Sequence, residues 1–224
     1  MNVKDFDIPI PEGDMLVTIF NRQRELMNTY HKIEENNVGH LLPYTSNEHG
    51  EYCGALNIDD RASQLRIKEF AWFITEELTE ATLALAEEDR VHFEEELIDA
   101  LHFSVEIMIL SGIKPVYGTG DAFQKAFDSV LIEKRPAFLS ENLLIKIQTY
   151  QAIEKLGEAM NRLKLKSWKT TAMLTDREAY NVSISDFFKN FIALLKLSGF
   201  TARTATAMYL NKHAVNQFRQ LSNY

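Results

Sequence analysis

The chain has 224 residues, 46% of them hydrophobic and 25% charged, and a formal net charge of −8. The apolar share is that of a soluble globular protein with room for one substantial domain or two small ones, and the acidic surplus argues against bare nucleic acid as a partner. Cys53 is the single cysteine, which excludes an internal disulfide and a cysteine-built metal centre and fits a reducing compartment such as the cytoplasm.

The opening MNVKDFDIPIPEGD has acids and prolines where a secretory signal needs basic and then apolar residues. Periodicity predicts a first helix over about 15–35, with Val17, Phe20, Leu26, Met27 and Tyr30 on helical spacing. Residues 36–60 follow as a long loop carrying Gly39, Pro43, Gly50 and Gly54, which reads equally as a lid or as a surface excursion. Helix returns from Asp60 to about Glu88, and Asp89 caps another that ends near Gly112, before Lys114-Pro115. Its most apolar window, 97–110, is broken by Asp99, His102, Ser104 and Glu106 and is shorter than the roughly 20 residues of a membrane span, so no membrane partner is expected.

The segment KPVYGTGDAF reads as a loop, followed by a short helical run and a break at Arg135-Pro136. Ser140-Glu141-Asn142 opens a helix reaching about Lys166, Ser185 caps SDFFKNFIALLKLSG, Gly199 ends it, and a last helix starts near Ala202. No repeat, linker or sustained strand alternation interrupts this series. The expected fold is all-α, a bundle of five to seven helices forming one domain over 1–224 with a central antiparallel hairpin.

Four acids stand in the apolar stripes of that hairpin. Glu77 and Glu80 share one helical face, as do Glu96 and Asp99, and both pairs are centred on Glu88. In an antiparallel hairpin turning at 88–89, Glu80 faces Glu96 and Glu77 faces Asp99, within a patch about 5 Å tall. Carboxylates packed so closely away from water are either protonated or compensated by cations, and oxygen ligands of this kind suit Mg2+. Glu76 is either an outer base or a surface residue.

EELTE followed by EELID resembles the EExxE…ExxD signature of the all-α nucleoside triphosphate pyrophosphatases, the group holding MazG and the dimeric dUTPases. IDALHFSVEIMILSG is similar to the dimeric dUTPase and phage dCTPase branch. YLNKHAVNQFRQLSNY resembles that branch's terminal block through Lys212, Asn216, Phe218, Arg219, Gln220 and Tyr224, with His213 and Asn223 departing from it. IFNRQRELMN is loosely similar to the family's first helix, whose Gln and Asn help hold the nucleoside. The Trp- and Lys-rich element that dimeric dUTPases carry between the acidic motifs has no counterpart in EEDRVHFEE; KLKSWKTT lies further on instead.

The resemblance implies hydrolysis of a deoxynucleoside triphosphate, dUTP or dCTP, to the monophosphate and pyrophosphate. Glu77, Glu80, Glu96 and Asp99 would hold Mg2+, or Mn2+ in its place, while Glu76 or a ligand glutamate orients water. Gln23 or Asn28 on the first helix, and Lys212, Asn216 and Arg219 on the last, are candidates for the substrate. His102 is a candidate on the ligand side of its helix, and Trp168 could stack on a base or simply anchor its loop. The branch forms homodimers, which would suit Phe187 and Phe188 as exposed aromatics, and many relatives are encoded by bacteriophages. A broad MazG-like pyrophosphatase and a non-catalytic helical interaction protein are the alternatives. A di-iron bundle lacks its Glu-x-x-His motifs here.

Overall fold

The computed structural model describes residues 7–38, 54–114, 120–132, 139–166 and 168–221. Among them every regular element is a helix: α1 (Met15–Val38), α2 (Arg61–Ala86), α3 (Arg90–Leu110), α4 (Ala122–Ser129), α5 (Glu141–Arg162), α6 (Arg177–Leu197) and α7 (Ala202–Leu221). The expected all-α bundle is therefore found, with seven helices. Most of the loop expected over 36–60, and the break at Arg135-Pro136, lie outside the described residues.

Side-chain caps set where the helices begin. Backbone N–H groups of Ser63, His92, Gln124, Leu143 and Ala179 donate to Asp60, Asp89, Asp121, Ser140 and Asp176 respectively, satisfying donors that a first turn leaves open. Two ends are capped reciprocally. Asp14 accepts from Leu16 N at 2.8 Å and from Ala122 N of α4 at 2.7 Å, while Asp121 accepts from Met15 N of α1 at 2.6 Å. Asp14→Ala thus opens two helix ends at once and is expected to cost about 2 kcal/mol, the top of the range for one cap, read from the urea midpoint.

Asp89 N–H reaches back to Ala84 O at 2.9 Å, and Glu88 between the helices has φ +61°. This is the helix-ending turn in which one residue goes left-handed, usually glycine, and it falls at the centre of the mirrored acids. Gly112 and Gly199 close α3 and α6 with φ +75° and +89°.

Three expectations need correction. α5 stops at Arg162 rather than near Lys166, because the chain beyond it is drawn against α2. The ammonium of Lys68 donates to Leu163 O and Leu165 O, Gln64 accepts from Leu165 N, and Arg61 donates to Lys166 O. α6 starts eight residues before Ser185, capped by Asp176; the Ser185 hydroxyl instead donates to Asn181 O, one turn back. Phe187 and Phe188, expected to face a partner, are buried in the core. With α6 beginning at Arg177, Ile184, Phe187, Phe188, Phe191, Ile192 and Leu195 form its inward stripe.

α2 packs chiefly along α3 and α5 along α6, with α2 also touching α5; α1 and α7 pack on each other and on α3. α3 is therefore central, buried along most of its length. Any charged group on its inner faces must find a partner there.

Candidate metal centre and its surroundings

The α2–α3 hairpin brings three acids together. One oxygen from each of Glu77, Glu96 and Asp99 lies within 4.8 Å of the others. One turn from Glu77 and from Asp99, Phe73 and Phe103 meet across the hairpin with ring centroids 5.3 Å apart, so the mirrored register expected from the sequence is the register observed. Glu96 is buried, and Glu77 and Asp99 are half-buried.

Glu80 is not part of this trio. It is exposed on α2 beside the cluster, the roll of α2 against α3 turning Glu77 and not Glu80 toward Glu96 and Asp99. Its charge still reaches Glu77. Burial, a hydrogen bond with Glu96, and the charges of Asp99, Glu96 and Glu80 push Glu77 up to about 9. Asp99 is raised to about 6, burial outweighing the opposing charge of Lys212.

Two cationic or basic groups touch the acids. Lys212 of α7, buried, places Nζ 2.6 Å from Asp99 Oδ2. His92, one turn before Glu96 and exposed, places Nδ1 2.9 Å from its Oε1. Glu76 points elsewhere, accepting a hydrogen bond from the indole of Trp72 at 2.7 Å on the outer face of α2.

Further along α3 lies a buried polar network. Gln23 of α1 donates through Nε2 to Glu106 Oε2 at 2.9 Å. Its Oε1 accepts from Tyr209 OH at 2.6 Å and lies 2.9 Å from His102 Nδ1. The rings of His102 and Tyr209 stack with centroids 3.9 Å apart. Both ends of the Gln23 amide are thus committed within the protein, and Gln23 and His102 join α1, α3 and α7. Burial pushes Glu106 up to about 8, holds His102 well below and Tyr209 well above their ordinary ranges, and lowers the neighbouring His31 to about 3.

The remaining candidates are spread around this centre. Asn28 and Asn216 are half-buried on α1 and α7, and Arg219 is exposed near the end of α7, close enough for its charge to act on Tyr30. Trp168 is 76% exposed in the segment pinned near Lys68, about 14 Å along α2 from Glu77 at 1.5 Å per residue. The structure does not bring it to the acids. Glu106, His92, Tyr30 and Tyr209 were not among the site candidates read from the sequence. Glu106 had a signal there, since it stands two turns from Asp99 on the same face of an apolar helix.

An all-oxygen set, partly buried, is the donor chemistry of a hard divalent cation. A model of the dUTPase family matches residues 84–224. The chain belongs to the dUTPase family. The match takes in Glu96, Asp99, His102 and all of α7, and begins seven residues after Glu77, whose place beside them rests on the hairpin geometry. No curated protein and no solved structure matches the chain. Family membership carries nucleotide hydrolysis of the dUTPase type as the expected chemistry. Among the described residues no helix is long and apolar enough to cross a membrane.

Proposed function

We propose that the chain hydrolyses a deoxynucleoside triphosphate, dUTP or dCTP, to the monophosphate and pyrophosphate, using Mg2+ (or Mn2+) held by Glu77, Glu96 and Asp99. One observation carries this reading: three carboxylates from two helices within 4.8 Å of one another, in a chain of the dUTPase family. When bound, the ion supplies positive charge at phosphate oxygens and acidifies water at the reacting phosphorus.

The chain's own residues do the rest. Lys212, and Arg219 further along α7, offer cations to a triphosphate that a chain of charge −8 otherwise repels. Glu80, exposed beside the trio, completes the ion's ligands or orients the attacking water. Glu76, tied to Trp72, is turned away from that task. Asn28 and Asn216 offer amides to the nucleoside. Gln23 and His102 act by holding α1, α3 and α7 in place, and Trp168 has no part in the centre.

The test is pyrophosphate release with dUTP, dCTP, dATP, dGTP, dTTP and their ribo-counterparts, with and without Mg2+. Metal-dependent release that is fastest with dUTP or dCTP is expected. Equal turnover of every base points instead to a broad pyrophosphatase, and no turnover at all ends the enzyme reading. The resemblance also implies a homodimer; a solution mass of 25.8 kDa, that of one chain, would remove it.

A further inference from the structure

We propose that Lys212 is the resident cation of the carboxylate centre, and that it gives up Asp99 to a divalent ion readily only when a polyphosphate takes its place as partner. Resting on the metal-centre reading above, the inference adds a coupling: divalent ion and polyphosphate bind cooperatively, and one side chain carries the coupling.

The geometry is specific. Lys212 is 8% exposed, and among the described residues Asp99 is its one ion-pair partner, at 2.6 Å. Asp99 is also one of the three acids whose oxygens converge within 4.8 Å. An ion ligated by Asp99 therefore shares that carboxylate with a buried ammonium. Two like charges at one carboxylate repel, and an ammonium that lets go is left buried without a counter-charge.

The nearest other acids among the described residues, Glu77 and Glu96, converge with Asp99 on the same centre and would be taken up by the same ion. His102, close enough for the charge of Lys212 to act on it, and His213, next to Lys212 in the chain, are neutral or cationic and supply no negative charge. Glu106 is engaged by Gln23. The negative charge that frees Lys212 must therefore arrive with the ligand, and a polyphosphate has both the charge and the oxygen acceptors. A ligand can shift such an equilibrium only through its different affinity for the two arrangements. Here the difference is whether Lys212 has an acceptor. Reciprocity follows: the polyphosphate tightens the divalent ion by the same factor as the ion tightens the polyphosphate.

The experiment titrates Mn2+ into the metal-free protein, reading free Mn2+ by electron paramagnetic resonance. The proteins are the unmutated chain, Lys212→Gln, Lys212→Arg and Glu77→Gln. Without polyphosphate, Lys212→Gln is expected to bind Mn2+ roughly tenfold more tightly than the unmutated chain, within the usual range of coupling between sites, and Lys212→Arg to stay close to it. Inorganic pyrophosphate, after correction for the Mn2+–pyrophosphate complex in solution, is expected to tighten Mn2+ on the unmutated chain and to lose that effect in Lys212→Gln. Equal or weaker Mn2+ binding by a folded Lys212→Gln overturns the proposal and makes the lysine a mere support for Asp99. Absence of Mn2+ binding by every protein, or binding unaffected by Glu77→Gln, removes the metal-centre reading instead.

A second measurement needs no substitution. With lysine ζ-15N label, the Lys212 ammonium signal should hold its position with Mg2+ alone at modest concentration and move when pyrophosphate is added with it. A signal displaced fully by Mg2+ alone contradicts the exchange.

Discussion

Glu77→Gln is expected to abolish the proposed pyrophosphate release while making the metal-free protein more resistant to heat. The two effects have one origin. Folding places the Glu77 carboxyl among Glu96, Asp99 and Glu80, and burial with those neighbours raises it to about 9, so the folded state without a metal holds it protonated. A neutral amide of the same shape reproduces that form and removes the latent repulsion. It also removes one of three converging oxygen ligands. Even partners that only support a ligand carry 10–100-fold in metal affinity or activity, so loss of at least about 100-fold in turnover at fixed Mg2+ is expected. Asp99→Asn makes the contrast. It loses activity too, but leaves the buried ammonium of Lys212 without its counter-charge and should lower stability by about 3 kcal/mol, the lower edge for breaking a buried pair. Turnover of Glu77→Gln within tenfold of the unmutated chain would show that the acids are not the metal seat.

The hairpin was legible because two periodicities agreed. Helical spacing put Glu77 and Glu96 in apolar stripes, and the cap at Asp89 fixed the turn about which the stripes mirror each other. The contact of Phe73 with Phe103 follows from the same symmetry. The position of Glu80 was not legible, because a mirror argument fixes height along the helices and not rotation about them. That rotation depends on how α2 and α3 roll against each other, which the whole bundle decides. The start of α6 was misplaced for a related reason. Ser185 is a good cap by residue type, but a serine inside a helix can bond back one turn, and only the preceding turns from Arg177 show which it does. Once the start moves, Phe187 and Phe188 rotate into the core.

What the sequence concealed most fully is the meeting of distant segments. Gln23, Glu106 and Tyr209 come from three helices, and no spacing rule links them. Lys212 reads as one cation on a helical face until α7 is laid against α3, where its ammonium meets Asp99. The family resemblance pointed to that lysine without saying what it touches.

Stability of the metal-free protein should peak near pH 6.5 and fall on the alkaline side, with Glu106 the main cause of that fall. Glu106 is raised from an ordinary 4.5 to about 8 by burial. Its folded state binds the extra proton, so its contribution is complete below the unfolded value and is lost as pH rises through about 8. Within that window one proton corresponds to about 1.4 kcal/mol per pH unit. Glu77 acts in the same direction up to about 9, at reduced strength because it is only half-buried. Asp99 adds its share only up to about 6. The buried histidines act oppositely. His31 and His213, lowered from 6.5 to about 3 and about 4, take up protons on unfolding at acid pH, so their contribution is present above 6.5 and lost below it. Between about 4.5 and 6.5 acids and histidines largely offset each other, whereas above 6.5 the acids act alone. Glu106→Gln keeps an acceptor for Gln23 Nε2 and has no proton to lose, so between pH 6.5 and 8 its urea-unfolding free energy should gain about 2 kcal/mol on the unmutated chain. Parallel stability curves for the two proteins across that interval would mean that Glu106 is not the buried proton carrier that its surroundings make it.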